Sequence, residues 1–149
     1  MNLLQLLKNR DLKLAVSESL TGGNLQAQIT AISGISEVFE GGITAYTLEQ
    51  KVKFLGVNAS HAKEVNCVSA RVAEEMAHGA AKLFGTNIGI GTTGYAEPSR
   101  QSKETIAYFA ISLNNKIVAS GAVTKQLPRV EMQKAVATTV MQSLELVLS

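Results

Sequence analysis

The stretch Ser17-Glu18-Ser19-Leu20-Thr21-Gly22-Gly23 decides how this chain folds. Ahead of it, Leu12 to Val16 is a short apolar run with the character of a buried strand. Behind it, Leu25, Ile29 and Ile32 recur at helical spacing from Asn24 onward. A strand, a tight turn rich in hydroxyls and glycine, and a helix start together make the junction at which α/β proteins carry their sites. The first backbone N–H groups of a helix lack intrahelical partners, and the helix dipole adds roughly half a positive charge there. Such a turn draws an anion or a developing oxyanion. Gly22 and Gly23 let a ligand approach the backbone closely.

Outward from this junction, helical and strand patterns alternate. An amphipathic helix over about Asn2 to Asn9 precedes it, and Ser33-Gly34 stops the helix that follows. A strand is expected from Gly41 through Tyr46, its paired glycines marking a bulge or a close backbone approach. Leu48 to Leu55 reads as a short helix capped by Thr47 and ended by Gly56, and Asn58 to Val65 as another. Ser69 caps the best helix of the sequence, with Val72, Ala73, Met76, Ala77, Ala80, Leu83 and Phe84 on one face and Gly85 at its end. The glycines in Asn87 to Gly94, a strand, imply that something packs tightly on its backbone.

A polar loop runs from Tyr95 to Lys103. The strands Thr105–Leu113 and Lys116–Thr124 then flank the hairpin signal Asn114-Asn115. The last helix carries Met132, Val136, Val140, Leu144 and Val147, with Pro128 at its first turn. Helices alternating with strands, then a late hairpin, predict an α/β fold: a three-layer α/β/α sandwich on a mixed sheet, built as a single domain over residues 1–149.

Bulk properties narrow the function classes. Hydrophobic residues make up 46% and charged residues 17%, the composition of a globular protein with a real core. The net charge of +2 is dispersed, with no basic stripe, so no direct nucleic-acid partner is expected. One cysteine, Cys67, leaves no internal disulfide and suits a reducing compartment. No apolar run approaches the roughly 18 residues needed to cross a bilayer. A cytoplasmic protein without membrane contact is the expectation.

Ser19 is the candidate nucleophile, and a serine hydroxyl needs a base to take its proton. His61 and His78 are the only histidines, and neither lies in a pattern that would orient an imidazole. Lys51 is the better base, following Tyr46 by five positions near the same sheet edge. It serves only if desolvation or a neighbouring cation lowers its pKa. From spacing alone it also reads as a solvated helix lysine beside Lys53. Ser19 likewise reads as a turn serine, Thr21 as a helix N-cap, and Tyr46 as a half-buried sheet tyrosine.

A resemblance bears on these alternatives. The opening stretch resembles the Ala-Glu-Ser-Cys-Thr-Gly-Gly motif of the CinA C-terminal domain family, the nicotinamide-nucleotide amidohydrolases. In the same order, Phe39 to Tyr46 is similar to Phe-Glu-Arg-Gly-x-x-x-Tyr, Glu49-Gln50-Lys51 to Glu-x-Lys, and Leu55-Gly56-Val57 to Leu-Gly-Val. Thr93-Gly94-Tyr95-Ala96-Glu97-Pro98 resembles the family's Thr/Ser-Gly-Ile-Ala-Gly-Pro.

The resemblance implies hydrolysis of the carboxamide of nicotinamide mononucleotide to nicotinic acid mononucleotide and ammonia, with no metal and no cofactor. It makes Ser19 the nucleophile, Lys51 its base and Tyr46 a supporting residue. Thr21, Gly22, Gly23, Thr93, Gly94 and Arg129 become the expected substrate-binding residues. A nucleotide is the expected partner, and the family's association together with the apolar helices permits a dimer.

Several positions depart from the pattern. Leu20 stands for the motif's cysteine, Gly41 for its arginine, and Cys67 where the family usually has alanine. Glu97 replaces a glycine, and the segment Glu97 to Glu104 is shorter and lacks glycines. These departures keep a second reading open, a nucleotide-binding or regulatory module that retains the fold without turnover.

Overall fold

The structure is a computed structural model describing residues 1–100 and 103–149; the loop positions Gln101 and Ser102 lie outside the described residues. Among these, five strands form one sheet: β1 (Leu14–Glu18), β2 (Phe39–Thr44), β3 (Ile88–Gly94), β4 (Ala107–Leu113) and β5 (Lys116–Val123), in the order β2-β1-β3-β4-β5. β1 pairs in parallel with both β2 and β3, whereas β4 pairs antiparallel with both β3 and β5. The sheet is therefore mixed, as the late hairpin predicts. Asn114 and Asn115, both with positive φ, make its turn.

Six α-helices cover the two faces. α1 (Leu3–Asn9), α2 (Asn24–Thr30) and α6 (Arg129–Leu148) lie on one side, and α5 (Ala70–Phe84) spans the other, with α3 (Leu48–Leu55) and α4 (Ala59–Glu64) beside it. The main core lies under α6. There Leu14 and Val16 of β1 meet Leu3, Leu7, Leu25 and the Met132, Val136, Val140 and Leu144 stripe. On the opposite face Met76 joins Ala45, Leu55 and Val72 in a smaller cluster. This is the three-layer α/β/α sandwich.

Two local features carry the sequence signals. β1 and β2 lose register between Leu14–Phe39 and Ala15–Gly41, so the glycine pair does mark a bulge. A Cβ at Gly91 would lie 2.7 Å from the Ala77 nitrogen, so only glycine lets α5 lie this close to the sheet. β1 also runs further than its apolar residues: it starts at Leu14 and includes Ser17 and Glu18, both fully buried. Ser17 donates to one of two carbonyls, Met76 or Ile90, each 3.0 Å away, so its burial leaves no hydroxyl unsatisfied.

Candidate active site

The parallel strands set the site. Because β1 and β2 align Glu18 with Thr44, the chain leaves both strands at the same sheet edge. Ser19 comes immediately after β1. The path from β2 runs through Ala45 and Tyr46 to Thr47, which caps α3 by accepting from the Gln50 N–H. One turn on, Lys51 points back under the edge. Although 32 positions apart, the Lys51 amine and the Ser19 hydroxyl are 2.9 Å from each other. β3, also parallel to β1, delivers Thr93 and Gly94 to the same edge. A crevice beyond the carboxyl ends of parallel strands is where open α/β sheets bind ligands.

Lys51 is not a solvated lysine. It is 1% exposed, and its amine is held by the Ser19 Oγ and by the Tyr46 carbonyl, each at 2.9 Å. Burial disfavours the ammonium and lowers its pKa from 10.5, while the nearby Cys67 works weakly in the opposite direction. As a neutral amine, Lys51 has a lone pair to accept the Ser19 proton. The thiol of Cys67 is pushed up from 9.0, chiefly by burial.

The turn after Ser19 differs from the bare anion site its sequence suggests. Glu18 already occupies the α2 N-terminus: its carboxylate accepts from the N–H groups of Gly23, Leu25 and Gln26 at 3.2, 2.9 and 2.9 Å. Gly23, at φ 96°, is the N-cap residue in place of Thr21. The Thr21 hydroxyl instead pairs with that of Thr92 at 2.9 Å, and Thr92 Oγ1 also accepts from the Ser19 N–H at 3.4 Å. The Gly22 N–H closes the turn on the Ser19 carbonyl. Among the described residues, the N–H groups of Leu20 and Thr21 donate to no protein acceptor. They are the turn's available donors.

A cavity of about 340 Å³ opens above the pair. Ser19, Lys51, Tyr46, Thr93, Gly94 and Arg129 all line it, whereas Thr21, Gly22 and Gly23 do not. Tyr46 is exposed at the rim instead of half-buried in the sheet, and its hydroxyl accepts from Arg129 at 2.9 Å. Arg129 also pairs with Glu97 at 3.0 Å. Neither histidine lines this cavity: His61 meets Ser69, and His78 lies on α5 by a separate groove. Among the described residues no group of histidine, cysteine and carboxylate side chains is arranged to hold a metal. No described helix is long and apolar enough to cross a membrane.

Sequence reasoning missed Glu18 and Thr92, which shape the turn from within. A polar residue closing an apolar strand run was the available signal for Glu18. Thr92 had no signal beyond its place beside Thr93.

The fold and its pair define a three-layer α/β protein with a serine–lysine dyad at the carboxyl edge of its parallel strands. Residues 1–148 match the model of the CinA C-terminal domain, and the chain belongs to that family. It is 48% identical over 93 residues to a CinA-like protein of a Picosynechococcus species, covering 62% of this chain and 22% of the relative. It is 36% identical over 147 residues to a Thermoanaerobacter pseudethanolicus protein that bears a competence-damage inducible name, covering 97% of this chain and 35% of the relative. The chain thus spans a minor part of the length of these curated relatives.

Among solved structures, a CinA superfamily protein from Klebsiella pneumoniae superposes with a TM-score of 0.90 at 26% identity, covering 97% of this chain and 91% of that one. A competence/damage inducible protein from Agrobacterium tumefaciens gives 0.84 at 25% identity, covering 96% and 89%.

Proposed function

We propose that this chain is a serine–lysine amidohydrolase acting on a pyridine carboxamide, with nicotinamide mononucleotide the substrate that its family resemblance implies. The observation that carries the reading is the 2.9 Å contact between the Ser19 hydroxyl and a buried Lys51 amine that, among the described residues, forms no ion pair with a carboxylate. A surface lysine has no need of such burial. A base for a serine does, because desolvation favours the neutral amine over the ammonium.

The reaction follows from these groups. Ser19 Oγ attacks the carboxamide carbon while Lys51 Nζ takes the hydroxyl proton. The carbonyl oxygen becomes an oxyanion, which the Leu20 N–H, at the cavity beside Ser19, is free to meet. Lys51 returns the proton to the leaving nitrogen, the C–N bond breaks and ammonia departs. Water then cleaves the Ser19 ester with Lys51 again as base, releasing the carboxylic acid and restoring the hydroxyl. Tyr46 supports the pair through its carbonyl, and its ring walls the cavity beside Arg129.

Purified protein should release ammonia and nicotinic acid mononucleotide from nicotinamide mononucleotide, and Ser19→Ala should lower kcat by about a thousandfold or more. Absence of ammonia from the mononucleotide and from its close carboxamide analogues would falsify the amidohydrolase reading. Calorimetric binding of nucleotide under those conditions would leave the non-catalytic binding module.

A further inference from the structure

We propose that Glu97 is a specificity residue that turns the site away from phosphate-bearing carboxamides and towards their phosphate-free ribosides. The inference deepens the amidohydrolase reading and rests on it for the placement of the carboxamide at Ser19.

The cavity has a polar order from bottom to rim. Ser19 and Lys51 are buried at its base, whereas Tyr46, Glu97 and Arg129 are exposed where it opens. A substrate with its carboxamide on Ser19 therefore presents its other end to the rim. Among the described residues lining the cavity, the cations are Lys51 and Arg129. Lys51 is taken up by Ser19 and Tyr46. Arg129 is divided: Nη1 meets a Glu97 oxygen at 3.0 Å, and Nη2 meets the Tyr46 hydroxyl at 2.9 Å. No lining cation is left over for a phosphate.

A phosphate monoester, with close to two negative charges at neutral pH, takes an arginine by a two-pronged contact. Here it must first displace a carboxylate from that arginine and then sit beside the displaced charge. A phosphate-free riboside meets a different surface. The Glu97 carboxylate accepts hydrogen bonds and the Arg129 guanidinium donates them, so the pair can serve ribose hydroxyls without separating. Both side chains of the pair are solvent-exposed, at 42% and 57%, so screening limits the discrimination to about three- to tenfold.

The test uses the full chain with Ser19→Ala to block turnover, with and without Glu97→Gln, titrated calorimetrically with nicotinamide mononucleotide and nicotinamide riboside. Ammonia release by the Ser19 protein is measured in parallel with both compounds. With Glu97 present, the riboside should bind about fivefold tighter than the mononucleotide. Glu97→Gln should tighten the mononucleotide by a similar factor and leave the riboside equal or weaker. The difference should shrink in high salt.

Tighter binding of the mononucleotide to the Glu97 protein, a ratio that Glu97→Gln moves by less than about twofold, or no binding of either compound would overturn the proposal. Selective riboside binding without ammonia from either compound would remove the amidohydrolase reading while leaving the charge preference intact. Faster turnover of the mononucleotide with Glu97 present would do the reverse.

Discussion

Ser19 and Cys67 both line the cavity as candidate nucleophiles, and their environments separate them. The same burial that lowers the Lys51 pKa raises that of the Cys67 thiol, so the amine is driven towards its free base and the sulfur away from its thiolate. Ser19 is the one in contact with the base. Activity should therefore survive Cys67→Ala and follow the protonation of Lys51. Since the neutral amine is the working form, kcat/KM should rise with pH through the lowered Lys51 pKa, below 10.5, and fall away on the acid side. Lys51→Arg keeps a permanent charge and should lose about a hundredfold or more at every pH. Ammonia release measured from acid to alkaline pH checks both. An acid limb that stays in Lys51→Arg, or activity lost on Cys67→Ala, would reassign the roles.

Between β1 and α2, one carboxylate determines what the turn can do. Glu18 gathers three N–H groups of the helix start, fixing α2 against the sheet and leaving the Leu20 and Thr21 donors facing elsewhere. Glu18→Gln keeps the shape but removes the charge, and its amide NH2 would confront an N–H. A loss of about 1–3 kcal/mol is expected, read as a lower urea midpoint with unchanged slope. An unchanged midpoint would mean that the helix start is held by packing alone. Element boundaries were legible where the chain marks them chemically: Thr47 and Gly56 bracket α3, and Ser69 and Gly85 bracket α5. β1 ran past its apolar residues because Ser17 and Glu18 find buried partners on other elements, which no local pattern records. Lys51 was hidden for the same reason. It shares the inward face of α3 with Leu48 and Leu55, whereas Lys53 lies on the outward face, but its partner Ser19 comes from the end of β1. The rim pair of Glu97 and Arg129 joins residues 32 positions apart from a loop and a helix start, beyond the reach of spacing.

At the scale of the whole molecule, the sandwich carries in its interior a lysine whose charge is costly to bury. In the folded chain the Lys51 pKa lies below 10.5; unfolded, it returns to the ordinary value. Between those two pKa values the unfolded chain binds a proton that the folded chain does not, so stability rises with pH across that window. Below the folded pKa both forms are protonated, and the full cost of burying the ammonium is present. Above 10.5 both are neutral and that cost is gone. Lys51→Met fills the same space with no charge to desolvate. It should raise stability at neutral pH by on the order of 1 kcal/mol, flatten this part of the pH–stability curve and abolish turnover. Denaturant titrations of the parent and of the Lys51→Met variant, from about pH 6 to about pH 10, separate this trade from a purely structural role. A Lys51→Met variant less stable than the parent throughout would show that the amine's bonds to Ser19 and Tyr46 outweigh its desolvation, and that the fold itself depends on the dyad.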